Sequence, residues 1–206
     1  MYVLHVRCFW CHLGIAFIDV QQPASLRALS PNNPTPLTLV HSSRTVSGPE
    51  NILEYLDGEW QQQTTLILPA KPYEKSRVRA VCDVIAKHVI ANYYTARSCQ
   101  SPSEAKSAVV KMLQGILQVF SLTTEGDGCF LMGDKLGLAD ILLAPFAQRI
   151  CVALKSQLQL NVPTCSKFKP FWSWWNSMQT QDCYVKSAMT DENLLNLHDK
   201  LNRFEN

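Results

Sequence analysis

From residue 73 onward the apolar side chains recur with a helical period. Val78, Cys82, Ile85 and Val89 lie at steps of four, three and four, which predicts one amphipathic helix. Val109, Leu113, Ile116 and Phe120 repeat the stripe and predict a second helix, ended by the Gly-Asp-Gly turn at 126–128. Leu142, Phe146 and Ile150 predict a third. Its start is well defined, with Gly137 at the N-cap and Asp140 placed to reach back to the backbone N–H there. Pro145 removes one internal hydrogen bond and predicts a bend in that helix. Trp172, Trp175 and Met178 share one face of a further helix, an aromatic cluster read as packing between helices. Leu194, Leu195, Leu197 and Leu201 predict a last amphipathic helix over 191–203.

The first third of the chain mixes strand and helix signals. The apolar run at 1–6 reads as a strand, and residues 23–36, rich in Pro, Asn and Ser, read as loop. Residues 37–40 (Leu-Thr-Leu-Val) form a strand that pairs with 44–46 across the turn His41-Ser42-Ser43. Ser47-Gly48-Pro49-Glu50 has the form of a capping box and opens a helix that buries Ile52, Leu53 and Leu56. Residues 58–72 read as a linker around the short apolar anchor Leu66-Ile67-Leu68. The composition changes there, giving an N-terminal domain at 1–62 and an all-helical one at 63–206.

Composition narrows the function classes. With 206 residues, 47% of them apolar and 17% charged, the chain buries a substantial core. A net charge of +2 without a basic block argues against nucleic acid and against an anionic membrane surface as partners. No apolar run reaches the roughly 18 residues of a membrane span, and the N-terminus lacks the pattern of a secretion signal. The expectation is a cytoplasmic protein whose eight cysteines are mostly reduced. Cys82 and Cys151 fall inside helical patterns and read as small buried hydrophobes.

The candidate chemistry sits at Cys8-Phe9-Trp10-Cys11-His12, where the first strand hands over to a helix. The amides and positive end of a helix N-terminus stabilise a thiolate, so Cys8 is the candidate nucleophile. With no second CxxC and no HxxxH, a zinc site would need scattered ligands, and no metal is expected. The same pentapeptide also has the CxxCH form of a c-type haem attachment, with His12 as axial ligand.

These features occur together in a recognisable order. The CxxC after the first strand, the Pro-containing loop before residues 37–40, Ile52-Leu53-Glu54-Tyr55-Leu56-Asp57, Pro72-Tyr73-Glu74-Lys75 and Leu138-Ala139-Asp140 resemble the glutathione transferase superfamily. The cysteine-type branch is the nearest in pattern: omega-class transferases, dehydroascorbate reductases and stringent starvation proteins. The resemblance implies an α/β thioredoxin-like N-terminal domain, truncated if an element is missing, followed by an all-α glutathione-transferase domain. It implies glutathione as co-substrate, an electrophilic or disulfide small molecule as second substrate, and a homodimer. Residue by residue, Cys8 takes the place of the cysteine that forms a mixed disulfide with glutathione, and Cys11 is available to resolve it. Thr35 and Pro36 match the residue and cis-proline whose backbone pairs with the cysteinyl part of glutathione. Asp140 matches the family's structural helix cap.

The chain also departs from the pattern. Phe9 stands where the family has proline, and Gly48-Pro49 replaces the Glu-Ser pair that grips the γ-glutamyl end of glutathione; Ser47 and Glu50 are near enough to substitute. Only 27 positions separate Cys8 from Pro36, short for a helix, a strand and a second helix. Two functions are consistent with this reading: a glutathione-dependent thiol transferase or reductase, and a non-catalytic interaction module on the same fold.

Overall fold

The structure is a computed structural model, and it describes residues 38–41, 44–59, 67–99, 101–123, 128–154 and 161–196. The described residues form two units. The first holds residues 38–68 together with Asp182–Ser187; the second holds Pro69–Gln181 and the chain from Ala188 onward.

In the first unit, β1 (Thr38–His41) and β2 (Arg44–Ser47) form an antiparallel hairpin, with Thr38 opposite Ser47 and His41 opposite Arg44. Helix α1 (Pro49–Glu59) packs on both strands and buries Ile52, Leu53 and Leu56, the three residues that the pattern assigned to its inner face. The expected capping box puts Ser47 at the N-cap, and the helix begins one residue later. The N-cap is Gly48, whose carbonyl accepts the Ile52 N–H at 3.0 Å. Gly48 has φ +92°, a left-handed conformation that suits glycine, and this lets β2 turn directly into the helix. At the other end of α1 the buried Asp57 carboxylate accepts the N–H groups of Ile67 (2.8 Å) and Leu68 (3.3 Å). Both apolar side chains of that segment are buried, so the anchor is held by polar as well as apolar contacts.

The second unit is helical. Helix α2 (Pro72–Val84) and α3 (Ala91–Ser98) are joined by a π-helical segment, Ile85–Ile90. Val78, Cys82, Ile85 and Val89 are all buried, as their spacing predicts, but the element is not one continuous α-helix. The wide turn carries the buried stripe on to Tyr93 and Ala96. Two features support it. The Asn92 side chain donates to the His88 carbonyl at 2.7 Å, and Gly115 of the facing helix α4 (Pro102–Thr123) leaves room for the His88 backbone. A Cβ at Gly115 would lie 2.7 Å from the His88 Cβ and 2.9 Å from its carbonyl.

Helix α4 starts at Ser101, whose carbonyl accepts the Ala105 N–H, and has proline at its first helical position. It buries Val109, Ile116 and Phe120 as predicted; Met112 is buried where Leu113, on the rim, was expected. Arg77 of α2 donates to the carbonyl of Leu122 at 3.3 Å, a cation placed at the negative end of α4.

Helix α5 (Leu138–Arg149) is buried along almost its whole length and is the centre of the unit. It runs through Pro145 and is followed by a second π segment at Ile150–Leu154. After a single 3-10 turn, Ser166–Phe168, helix α6 (Lys169–Gln179) buries Phe171, Trp174, Trp175 and Met178. This corrects the phase read from sequence. Trp172 lies on the rim, where its indole N–H donates to the Pro163 carbonyl at 3.0 Å. Phe120 meets Phe171 and Trp174 edge-on at 6.0 and 5.9 Å, which locks α4 to α6. A short helix α7 (Asp182–Ser187) belongs to the first unit, and residues 191–196 are again helical. That stretch is the described part of the predicted last helix. Gln148, buried on α5, donates to the Met189 carbonyl at 2.6 Å and fixes the chain just before it.

No helix among the described residues is long and apolar enough to cross a membrane. Six cysteines fall in the described residues; Cys82 is buried, whereas Cys151 is only half-buried.

Candidate functional site

Of the residues singled out from the sequence, Cys8, Phe9, Cys11, Thr35 and Pro36 lie outside the described residues. The structure places Ser47, Glu50 and Asp140. Ser47 is the last residue of β2, and Glu50 lies in the first turn of α1. The Ser47 hydroxyl is hydrogen-bonded to the hydroxyl of Thr38 at 3.2 Å, across the hairpin, and its carbonyl accepts the Asn51 side-chain N–H at 3.0 Å. Ser47 therefore closes the hairpin across to Thr38. Pro49 offers no N–H in the first turn of α1.

A second polar group lies at the other end of the same hairpin. His41 Nδ1 is 2.7 Å from the Tyr55 hydroxyl, with the two rings edge-to-face at a centroid distance of 5.9 Å. Arg44 donates to Glu59 at 3.0 Å. The Tyr55 hydroxyl and the Glu59 carboxylate together hold the Arg44 guanidinium above its ordinary range. Spacing alone does not reveal this network, because it joins residues 11 to 15 positions apart that meet only once the hairpin folds on α1.

Asp140 is fully buried and organises the second unit. One carboxylate oxygen accepts the Leu131 N–H (2.9 Å) and the Trp174 indole N–H (2.7 Å), and the other accepts the Gly137 N–H (3.0 Å). One side chain thus ties the 128–133 turn, the start of α5 and the face of α6 together. Burial pushes its carboxyl above the usual carboxylate range, and the three N–H donors pull it back in part. Nearby, Tyr93 packs edge-on against Tyr94 and Phe146, and the buried Arg149 guanidinium stands 5.3 Å from the Phe146 ring centre. Burial raises the Tyr93 phenol well above its ordinary range, while Arg149 and Arg97 pull it down.

Among the described residues there is no group of three or more His, Cys, Asp or Glu side chains arranged to hold a metal ion.

Comparison with known proteins identifies the architecture. A family model for the glutathione S-transferase C-terminal domain matches residues 53–182. The chain is similar to the probable glutathione S-transferase parA of Nicotiana tabacum, 35% identical over 116 residues, which are 52% of this chain and 47% of that protein. It spans about half the length of this curated relative. Among solved structures it resembles the Tau class glutathione S-transferase MiGSTU from mango, Mangifera indica, with a TM-score of 0.81, 18% identity and coverage of 97% of this chain and 93% of that one. Rice GST1, solved in complex with glutathione, matches with a TM-score of 0.77 and 18% identity over 98% of this chain and 93% of that one. These likenesses establish the fold as a thioredoxin-like N-terminal part followed by an all-helical C-terminal domain. The matched helical domain covers well over half of the 206 residues, and the chain belongs to the glutathione S-transferase family.

Proposed function

We propose that the protein is a glutathione transferase in which Cys8 is the nucleophile. The observation that carries this reading is the family match over 53–182, preceded in the chain by a segment that opens on a CxxC motif. In the reaction, the Cys8 thiolate attacks the glutathionyl sulfur of a mixed disulfide. A Cys8–glutathione disulfide forms and the other thiolate leaves. A second glutathione thiolate then attacks that bond, regenerates Cys8 and departs as glutathione disulfide; Cys11 is the intramolecular alternative. Phe9, Thr35, Pro36, Ser47 and Glu50 are the proposed glutathione contacts. An electrophilic or disulfide small molecule is the second substrate, and we place the protein in the cytoplasm as a homodimer with domains at 1–62 and 63–206. The similar mango protein is of the Tau class, so the cysteine-type mechanism rests on Cys8 itself.

One observation favours a second reading, a glutathione-transferase fold used as an interaction module. Gly48-Pro49 supplies neither carboxylate nor hydroxyl, and the neighbouring Ser47 hydroxyl is engaged by Thr38. The two readings separate in one experiment. Treatment with glutathione disulfide is expected to add one glutathionyl group, read by intact mass, and Cys8→Ser is expected to abolish the adduct. Absence of both an adduct and retention on immobilised glutathione overturns the transferase and leaves the module.

A further inference from the structure

We propose that Tyr55 is a nucleophilic tyrosine, a modification site that accepts an acyl group from activated esters and acyl-imidazoles, with His41 as the base that receives its proton. This is independent of the chemistry proposed for Cys8.

The geometry is that of an activated nucleophile. The phenol oxygen lies 2.7 Å from His41 Nδ1, within the reach that nucleophile and base need. A third group fixes the direction of that bond. The Arg44 guanidinium faces the same hydroxyl, is anchored from its other side by Glu59 at 3.0 Å, and can only donate. With Arg44 as a donor to the phenol oxygen, the arrangement we propose has the phenol O–H donating to Nδ1. In the proposed arrangement His41 Nδ1 is the acceptor of that bond. Arg44 on β2 and Glu59 on α1 are charged groups beside the pair among the described residues. The positive charge of Arg44 favours the phenolate that develops during attack.

The step balances without any further reagent. The Tyr55 oxygen attacks the acyl carbon, a new C–O bond forms, the proton passes to His41 Nδ1, and the bond to the leaving group breaks. The leaving group takes its proton from the imidazolium or from water. The product is an aryl ester on Tyr55, which has no O–H left to donate, so acylation also ends the bond from Tyr55 on α1 to His41 on the hairpin.

The chain contains its own control. Tyr73 is 74% exposed, whereas Tyr55 is half-buried, so accessibility alone predicts that Tyr73 reacts first. In the full-length protein treated with N-acetylimidazole near neutral pH, peptide mass spectrometry is expected to show Tyr55 acetylated about tenfold or more faster than Tyr73, a modest share of what a positioned base supplies. His41→Gln keeps an acceptor oxygen but cannot take the proton. It is expected to remove that advantage and leave the Tyr73 rate unchanged, with circular dichroism confirming that the variant folds. A Tyr55 rate no greater than that of Tyr73 in the unaltered protein overturns the proposal, and this comparison needs no variant. A folded His41→Gln protein that keeps the full Tyr55 rate overturns it equally.

Discussion

Replacing Asp140 removes a single side chain that three N–H donors share, and the cost can be worked donor by donor. In Asp140→Ala the Leu131 amide, the Gly137 amide and the Trp174 indole all lose their acceptor. Leu131 and Trp174 are buried, so water does not replace the lost bonds at those two. Each orphaned donor costs about 1–2 kcal/mol, and relief of the buried charge returns a part, for a net loss of about 4 kcal/mol. In a chain of this size each kcal/mol moves the melting temperature by roughly 2–4 °C, so the expected drop is about 8–16 °C. Asp140→Asn is the gentler test. Its oxygen can still serve Leu131 and Trp174, but its amide nitrogen then faces the Gly137 N–H, at a cost of about 2 kcal/mol. The pH dependence has a definite sign. The folded carboxyl titrates above its unfolded value, so its stabilising contribution is complete at low pH and is lost as pH rises from about 4 through the raised value. Asparagine does not titrate. The gap between the unaltered protein and Asp140→Asn is therefore expected to narrow as pH rises from about 4, followed by urea denaturation with tryptophan fluorescence. Equal stabilities at every pH would refute the central role of this carboxylate, and a gap that widens with pH would show that the N–H donors outweigh burial.

Two further substitutions probe backbone contacts. Gly115→Ala places a methyl 2.7–2.9 Å from the Cβ and carbonyl of His88, and backbone cannot step aside as a flexible side chain can. A loss of about 2 kcal/mol is expected in thermal denaturation despite the better helix propensity of alanine, and a neutral or stabilising result would show that the π segment yields. Asp57→Asn replaces one of the two oxygens that hold Ile67 and Leu68 with a donor, and should cost about 1–2 kcal/mol and speed amide exchange at those two residues. Unchanged protection there would mean that the apolar side chains alone keep the segment in place.

The helical stripes and the hairpin were legible because their periods are local. Val78 to Val89, Ile52 to Leu56 and the pairing of the strands around His41 and Arg44 follow from spacing and one turn. The π segments were not legible. One extra residue in a turn leaves apolar positions close to helical spacing, and the device that permits it, Gly115, lies 27 positions beyond His88 in sequence. The phase of α6 failed for a related reason: with tryptophan at 172, 174 and 175, hydrophobicity cannot choose the inner face, and the choice is made by the indole N–H that reaches Asp140. The bond between the Ser47 and Thr38 hydroxyls was not legible either, because its partner lies nine residues away across the hairpin. In the candidate site, the positions of Ser47, Gly48 and Pro49 were readable as a motif. The His41–Tyr55–Arg44–Glu59 network was not, since it depends on how the hairpin folds on α1.

The Asp57 carboxylate has a bearing on how this chain tolerates change. Because one side chain at the end of α1 grips the backbone at Ile67 and Leu68, the two ends of the intervening stretch are fixed independently of what lies between them. Lengthening such a stretch costs only the slow logarithmic growth of loop-closure entropy, about 0.6 kcal/mol for a doubling. A change of chain length before residue 67 is therefore expected to leave the register of residues 67 and 68 against α1 in place.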